Sequence, residues 1–275
     1  MNDMVSVVPV VPEMTDDDKR AIRAARETLE NTNLVIGLTN LLGKPLQLGF
    51  DRLPENWREK LGRFTQDAML SLMEKFILPT LGSAADGAPC NWTHKLLATA
   101  SGAVGGAGGF TTVALELPVS TAIFMRSIMD IARAHRRDLH RPENVLECYT
   151  VFALAGRGKE DDTTDSIYYL VRASLAKLVN DAAAYLAAQK TAGQAASAAA
   201  PSLVRFMTAV AGRYGVVLSN KAAAQAVPVA GALAGGLLNY YFLDYFQSTA
   251  EAHFTLRELE DRFGQPAVRA VYDGR

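Results

Sequence analysis

The sequence predicts an all-α chain, and three observations carry that reading. No segment shows the alternation of β-branched and polar residues that a half-buried strand needs. Apolar residues instead recur every three or four positions, most clearly at Trp57, Leu61, Phe64, Ala68, Leu72 and Phe76, one buried stripe of an amphipathic helix. Two further segments, from Leu96 to Leu115 and from Ala222 to Leu243, run about twenty residues without a charge and are rich in Gly and Ala. The expected architecture is a multi-helix bundle with two glycine-rich, small-residue helical segments.

The elements follow in order. Residues 1–14 lack the basic start and long apolar stretch of a signal peptide, and Pro9 and Pro12 interrupt any helix, so they read as a flexible arm before a single all-helical unit over 15–275. Thr15-Asp16-Asp17-Asp18 supplies an N-cap and an acidic first turn, with Ile22, Ala25 and Leu29 following at helical spacing. A second helix runs from Leu34 to Leu42 and stops at Gly43-Lys44-Pro45. Pro54 opens the third, about seven turns long. A loop over 82–91 precedes Trp92, where the first glycine-rich helix begins, and Pro118 bends or restarts it. From Val119 to Arg137 helical period persists through Ala122, Met125, Met129 and Ala132, with Arg126 and Asp130 spaced to pair. Pro142 opens a helix closed by Gly156, and 157–165 is a charged loop. A long helix spans 165–190. The alanine-rich 192–200 is a linker or more helix, two helices are expected between Ser202 and Ala226, and Pro228 enters the second glycine-rich segment. Thr255-Leu256-Arg257-Glu258 reads as a capping box for a last helix ended by Gly264 and Pro266.

Composition narrows the function classes. With 49% hydrophobic residues, 21% charged residues and a net charge of -1, the chain is globular and is not a polybasic nucleic-acid binder. A mean hydropathy of +0.05 argues against a polytopic membrane protein. Cys90 and Cys148 show no CxxC or Cys/His spacing, which points to no disulfide framework and no zinc site and suits a reducing cytoplasm. The four histidines are scattered, so no metal and no cofactor are expected.

Small residues four apart line one helical face in each glycine-rich segment: Gly102 with Gly106 and Gly105 with Gly109 in the first, Gly231 with Gly235 and Ala232 with Gly236 in the second. Glycine costs roughly 1 kcal/mol in an exposed helix interior, so these faces need close approach by another helix, in water or in lipid. The alternatives are packing within a core, membrane contact, and a ligand-lined wall. The run from Gly105 to Gly109 misses the dinucleotide spacing, and Gly37 to Lys44 misses the P-loop by one residue and carries Pro45 where Ser or Thr belongs. Ser174 and Lys177 match SxxK without its companion motifs and read as a solvent-facing pair.

Polar groups beside apolar sequence form the candidate cluster: His94, Lys95, Glu116, Arg126 and Asp130, with Tyr168 and Arg172 from the long helix and Asn239 and His253 from the second segment. A charge buried alone costs several kcal/mol, so these either pair into a register-fixing network or form a binding or catalytic cluster.

His94-Lys95 followed by SGAVGGAGG, Glu116-Leu117-Pro118, Arg126-Ser127-Ile128 and Asp130-Ile131-Ala132-Arg133 resemble the EcsC family of bacterial proteins. Phe152-Ala153-Leu154, Tyr168 with Val171-Arg172-Ala173, Val227-Pro228-Val229, Asn239, and Ala252-His253-Phe254 with Leu256-Arg257-Glu258-Leu259-Glu260 resemble its later blocks. The resemblance covers roughly Pro54 to Tyr272. It implies an all-helical bacterial protein of the cytoplasm, peripheral to the inner membrane. The family is named for a protein linked to an ABC-transporter operon, and the resemblance carries over no catalytic residues. The expected role is non-enzymatic, with the inner membrane, a membrane-protein partner or a second copy as the partner. The alternative is a hydrolase or lipid-modifying enzyme centred on His94, Lys95, Glu116 and Arg126.

Overall fold

The computed structural model describes residues 13–31, 34–74, 78, 109–156, 166–227 and 233–274. These residues form helices and no strand: α1 Asp16–Asn31, α2 Leu34–Leu42, α3 Gln47–Phe50, α4 Trp57–Leu72, α5 Gly109–Ala134, α6 Pro142–Ala155, α7 Ile167–Thr191, α8 Pro201–Ala226, α9 Leu233–Phe263 and α10 Gln265–Tyr272. The arm over 1–12, the loop over 82–91, most of the first glycine-rich segment with Gly102, Gly105 and Gly106, the charged run 157–165, and 228–232 with Gly231 lie outside the described residues.

Local chemistry explains the starts and stops. Thr15 and Asp18 form a reciprocal box: the Asp18 amide donates to Thr15 Oγ1 at 3.1 Å and the Thr15 amide donates to Asp18 Oδ2 at 2.9 Å. Hydrogen bonds from Thr15 lead the effects that hold the Asp18 carboxyl below its ordinary value. Gly43 ends α2 in the left-handed region at φ +60. The α4 stripe buries Trp57, Leu61, Ala68 and Leu72 as expected, while Phe76 lies outside the described residues.

Several boundaries differ from the sequence reading, among them Pro266, which opens α10 instead of ending the chain's last helix. α5 runs through Pro118 as one helix and does not restart there. The span expected as two helices is one, α8, because the buried stripe Leu203, Phe206, Val210, Tyr214, Val217 and Lys221 continues across Gly212 and Gly215. Packing along that face outweighs the roughly 1 kcal/mol that each glycine costs. Thr255 is not an N-cap. It lies inside the 31-residue α9, flanked by the buried Phe254 and Leu256, and Glu258 reaches across to His135 Nδ1 at 2.9 Å rather than back to a cap. The alanine-rich 192–200 is a non-helical connection, turned by Gly193 at φ +63.

α8 and α9 share the centre of the bundle, α8 packing on α3, α4, α6 and α7 and α9 on α1, α5 and α6. α5 runs parallel to α9, since Phe124 stacks on Phe246, Ser127 accepts from Gln247 and Arg137 pairs with Asp261. α6 runs antiparallel, with Glu147 against Arg257 and the Ala155 carbonyl accepting from Tyr245. α8 is also antiparallel to α9, through Tyr214 on Phe246 and the buried Lys221 ammonium over Phe124 and Phe242. Because α5 and α9 are parallel and in register, Gly109 at the start of α5 and Gly235 and Gly236 at the start of α9 belong to the same end of the bundle. α2 and α3 pack at that end as well. A Cβ on Gly37 would sit 1.7 Å from the Tyr241 hydroxyl, and one on Gly49 would sit 1.9 Å from the Ala223 carbonyl oxygen.

Gly49→Ala is therefore expected to destabilise the fold by about 1–3 kcal/mol through overpacking against α8 backbone. Gly62→Ala, at a helical position where a Cβ meets nothing within 4 Å, is expected to stabilise by about 0.5–1 kcal/mol. Paired urea titrations of the two variants check both signs.

Candidate functional site

Long polar side chains from two turns of α7 and two of α9 meet beside α6, which packs on both helices. Tyr168 and Arg172 are one turn apart on α7, and His253, Arg257 and Glu260 follow one another down α9. α6 contributes Glu147 from within an otherwise apolar run. Arg172 grips Glu260 with both arms of its guanidinium, Nη1 to Oε1 at 2.7 Å and Nη2 to Oε2 at 2.9 Å. Arg257 donates to the other side of Glu260 at 2.7 Å and, through Nε, to Glu147 at 2.7 Å. The result is an alternating chain of two cations and two anions, with the Glu260 side chain only 2% exposed at its centre. Burial works to raise the Glu260 carboxyl, but hydrogen bonds and charge from Arg172 and Arg257 outweigh it and hold the group below the ordinary carboxylate value.

A neutral branch leaves this chain. Arg172 Nη1 donates to the Tyr168 hydroxyl at 3.0 Å, and that hydroxyl lies 3.2 Å from His253 Nδ1. Having accepted from Arg172, Tyr168 has its own proton to give to Nδ1, which assigns the imidazole proton to Nε2. Nε2 is buried without a hydrogen-bond partner. Burial first, then the Arg172 and Arg257 charges, push His253 well below its ordinary range and keep it neutral. Burial pushes the Tyr168 phenol upward. The two groups are thus driven apart in the sense that opposes proton transfer from Tyr168 to His253, so their contact is a fixed hydrogen bond and not an acid–base couple.

The structure brings together three of the sequence candidates, Tyr168, Arg172 and His253, while Arg126, Asp130 and Asn239 take no part in their network. Arg126 and Asp130 face one another along α5 at 3.7 Å, with Asp130 also bound by Arg133 at 2.7 Å. Asn239 lies fourteen residues before His253 on the same helix, about 21 Å away along its axis. His94 and Lys95 lie outside the described residues, as does the Glu116 side chain. Ser174 and Lys177 are exposed, as read from sequence, and Ser174 donates to the Val171 carbonyl. Sequence reasoning missed Glu147, Arg257 and Glu260. Glu147 carried a usable signal, a lone carboxylate inside the apolar run from Leu146 to Leu154; Arg257 and Glu260 were masked by the false capping box.

Among the described residues no group of His, Cys, Asp and Glu is arranged to hold a metal ion, and no helix is long and apolar enough to cross a membrane. A hollow of about 290 Å³ opens between the start of α6 and the end of α7, at Pro142, Leu186 and Lys190. It lies away from the network, and its one cation, Lys190, donates to the His140 carbonyl.

The network ties together the segments that the family blocks span. The sequence profile of the EcsC protein family matches residues 19–259. The chain belongs to the EcsC protein family. No curated protein and no solved structure matches it. The EcsC match takes in all of α2 to α8, with Tyr168, Arg172, His253 and Arg257, and stops one residue before Glu260.

Proposed function

We propose that this EcsC family protein works by docking, with the glycine-bearing end of its bundle against a membrane surface, and not by turning over a substrate. The observation that carries the reading is an apolar patch on α2, α3 and the start of α9. At the end where α5 and α9 begin, α2 and α3 hold no charged residue, the first turns of α9 hold none, and the last three turns of α8 hold only the buried Lys221. Large apolar side chains point outward from the same layer: Ile36 is 58% exposed, Val35 43%, Leu48 41% and Tyr240 68%. At the opposite end, His135, Arg137, Glu251, Glu258 and Asp261 join α5 to α9. An apolar patch with an interfacial tyrosine, bordered by the exposed charges of Lys44, Asp51, Arg52 and Arg58, is the arrangement of a protein that seats an apolar face at the headgroup boundary. The ionic network, by this reading, is the lock that keeps the bundle rigid while one end is in contact. The inner membrane of a bacterial cytoplasm is the compartment that fits.

The test is co-sedimentation of the full chain with phosphatidylcholine–phosphatidylglycerol vesicles. Each of Ile36→Asp and Tyr240→Asp is expected to weaken vesicle binding about 10-fold or more, since a buried large apolar side chain is worth about 1.5–3 kcal/mol, while leaving thermal unfolding unchanged. Full binding by both folded variants contradicts the proposed face.

A further inference from the structure

α10 is joined to α9 by a single residue, Gly264, whose φ of +83 is open to glycine and strained for other residues, and no side chain caps the helix there. Only Val268 and Tyr272 of α10 are buried. Tyr272 is wholly covered, and its seat has the parts of a recognition site. Its ring stacks on Tyr168 at 5.7 Å and meets Tyr169 edge-on at 5.2 Å, the Arg26 guanidinium stands 5.9 Å above it, and its hydroxyl donates to Glu30 at 2.7 Å. Glu30 is already oriented by Ser166 and by the Tyr168 amide, so the acceptor is fixed independently of Tyr272. The seat lies directly over the Tyr168–His253 pair, and α10 lies beyond the family match.

We propose that α10 is a hinged strap and that the seat of Tyr272 is a phenol-recognition site, filled in cis by α10 and open, when the strap lifts, to a tyrosine side chain or another phenol. α10 is held by Val268, by Tyr272 and by Arg269, whose guanidinium lies 5.0 Å from the Tyr169 ring centroid, and none of these contacts depends on the membrane reading. Lifting α10 uncovers Tyr168 and Tyr169 while leaving the Arg172–Glu260–Arg257 lock intact, so opening is local.

Hydrogen exchange on the full chain, read by mass spectrometry, tests the hinge. Amides of α10 are expected to exchange about 100-fold faster than those of the middle of α9, with little dependence on denaturant; exchange of α10 in step with α9 overturns the strap. Tyr272→Ala tests the seat. p-Cresol is expected to raise the thermal midpoint of that variant and toluene to leave it in place, whereas equal effects of the two, or none, overturn phenol recognition. If Tyr272→Ala does not fold, Tyr272→Phe decides the same point: loss of the hydroxyl is expected to speed α10 exchange about 10-fold, and an unchanged rate overturns it.

Discussion

Glu260→Ala is expected to destabilise the protein by about 3–5 kcal/mol, the range for breaking a buried ion pair by removing one partner. The loss falls mainly on Arg172. Arg257 keeps Glu147, at 2.7 Å, but Arg172 is left with no carboxylate, only the Tyr168 hydroxyl and the Tyr168 and Tyr169 rings, where its side chain is 17% exposed. Replacing both partners, as Arg172→Met with Glu260→Leu, removes the stranded charge and is expected to recover most of the loss. Urea midpoints of the parent, Arg172→Met, Glu260→Leu and the double variant close the thermodynamic cycle. A coupling well above 1 kcal/mol marks the pair as a lock, and additive single effects deny it.

The second large effect concerns pH. His253 is neutral when folded because its pKa is driven well below the ordinary imidazole value. Between the folded and unfolded values, the unfolded chain binds a proton that the folded chain refuses, so stability rises with pH in that window and falls as pH drops below about 6.5. One such proton changes stability by up to about 1.4 kcal/mol per pH unit. Glu260 acts in a lower window: its folded pKa is depressed, so its contribution is present above the unfolded value of 4.5 and is lost as pH falls through the folded one. Thermal midpoints measured from pH 7.5 to 5 are expected to fall for the parent protein. They are expected to fall less steeply for His253→Gln, which keeps a polar group but cannot charge. Identical slopes for the two proteins contradict a buried neutral His253.

The helical class and most boundaries were legible because they depend on local chemistry: the Thr15 box, the left-handed Gly43, Pro142 in a first turn, the Trp57 stripe. The misreadings arose where tertiary packing overrode a local signal. Thr255 and Glu258 have the letters of a cap, yet Phe254 and Leu256 pack on both sides of Thr255 and Glu258 is drawn to His135, which no window on α9 reveals. The candidate site was legible by half. Tyr168, Arg172 and His253 stand out as polar groups among apolar neighbours, but their partner Glu260 lies 88 positions from Arg172, and only the fold, with α6 packed on both α7 and α9, brings it within reach. The parallel pairing of α5 and α9, which puts Gly109 with Gly235 and Gly236 at one end, is likewise a property of topology and not of either segment.

Docking at a membrane through the apolar patch is the function we propose for this protein. Fractionation of native cells, with the membrane pellet washed in about 1 M salt to screen charge contacts, tests it most directly. The protein is expected to stay with the pellet, and Tyr240→Asp is expected to move it to the supernatant. Recovery of the unaltered protein wholly in the supernatant before any wash contradicts it.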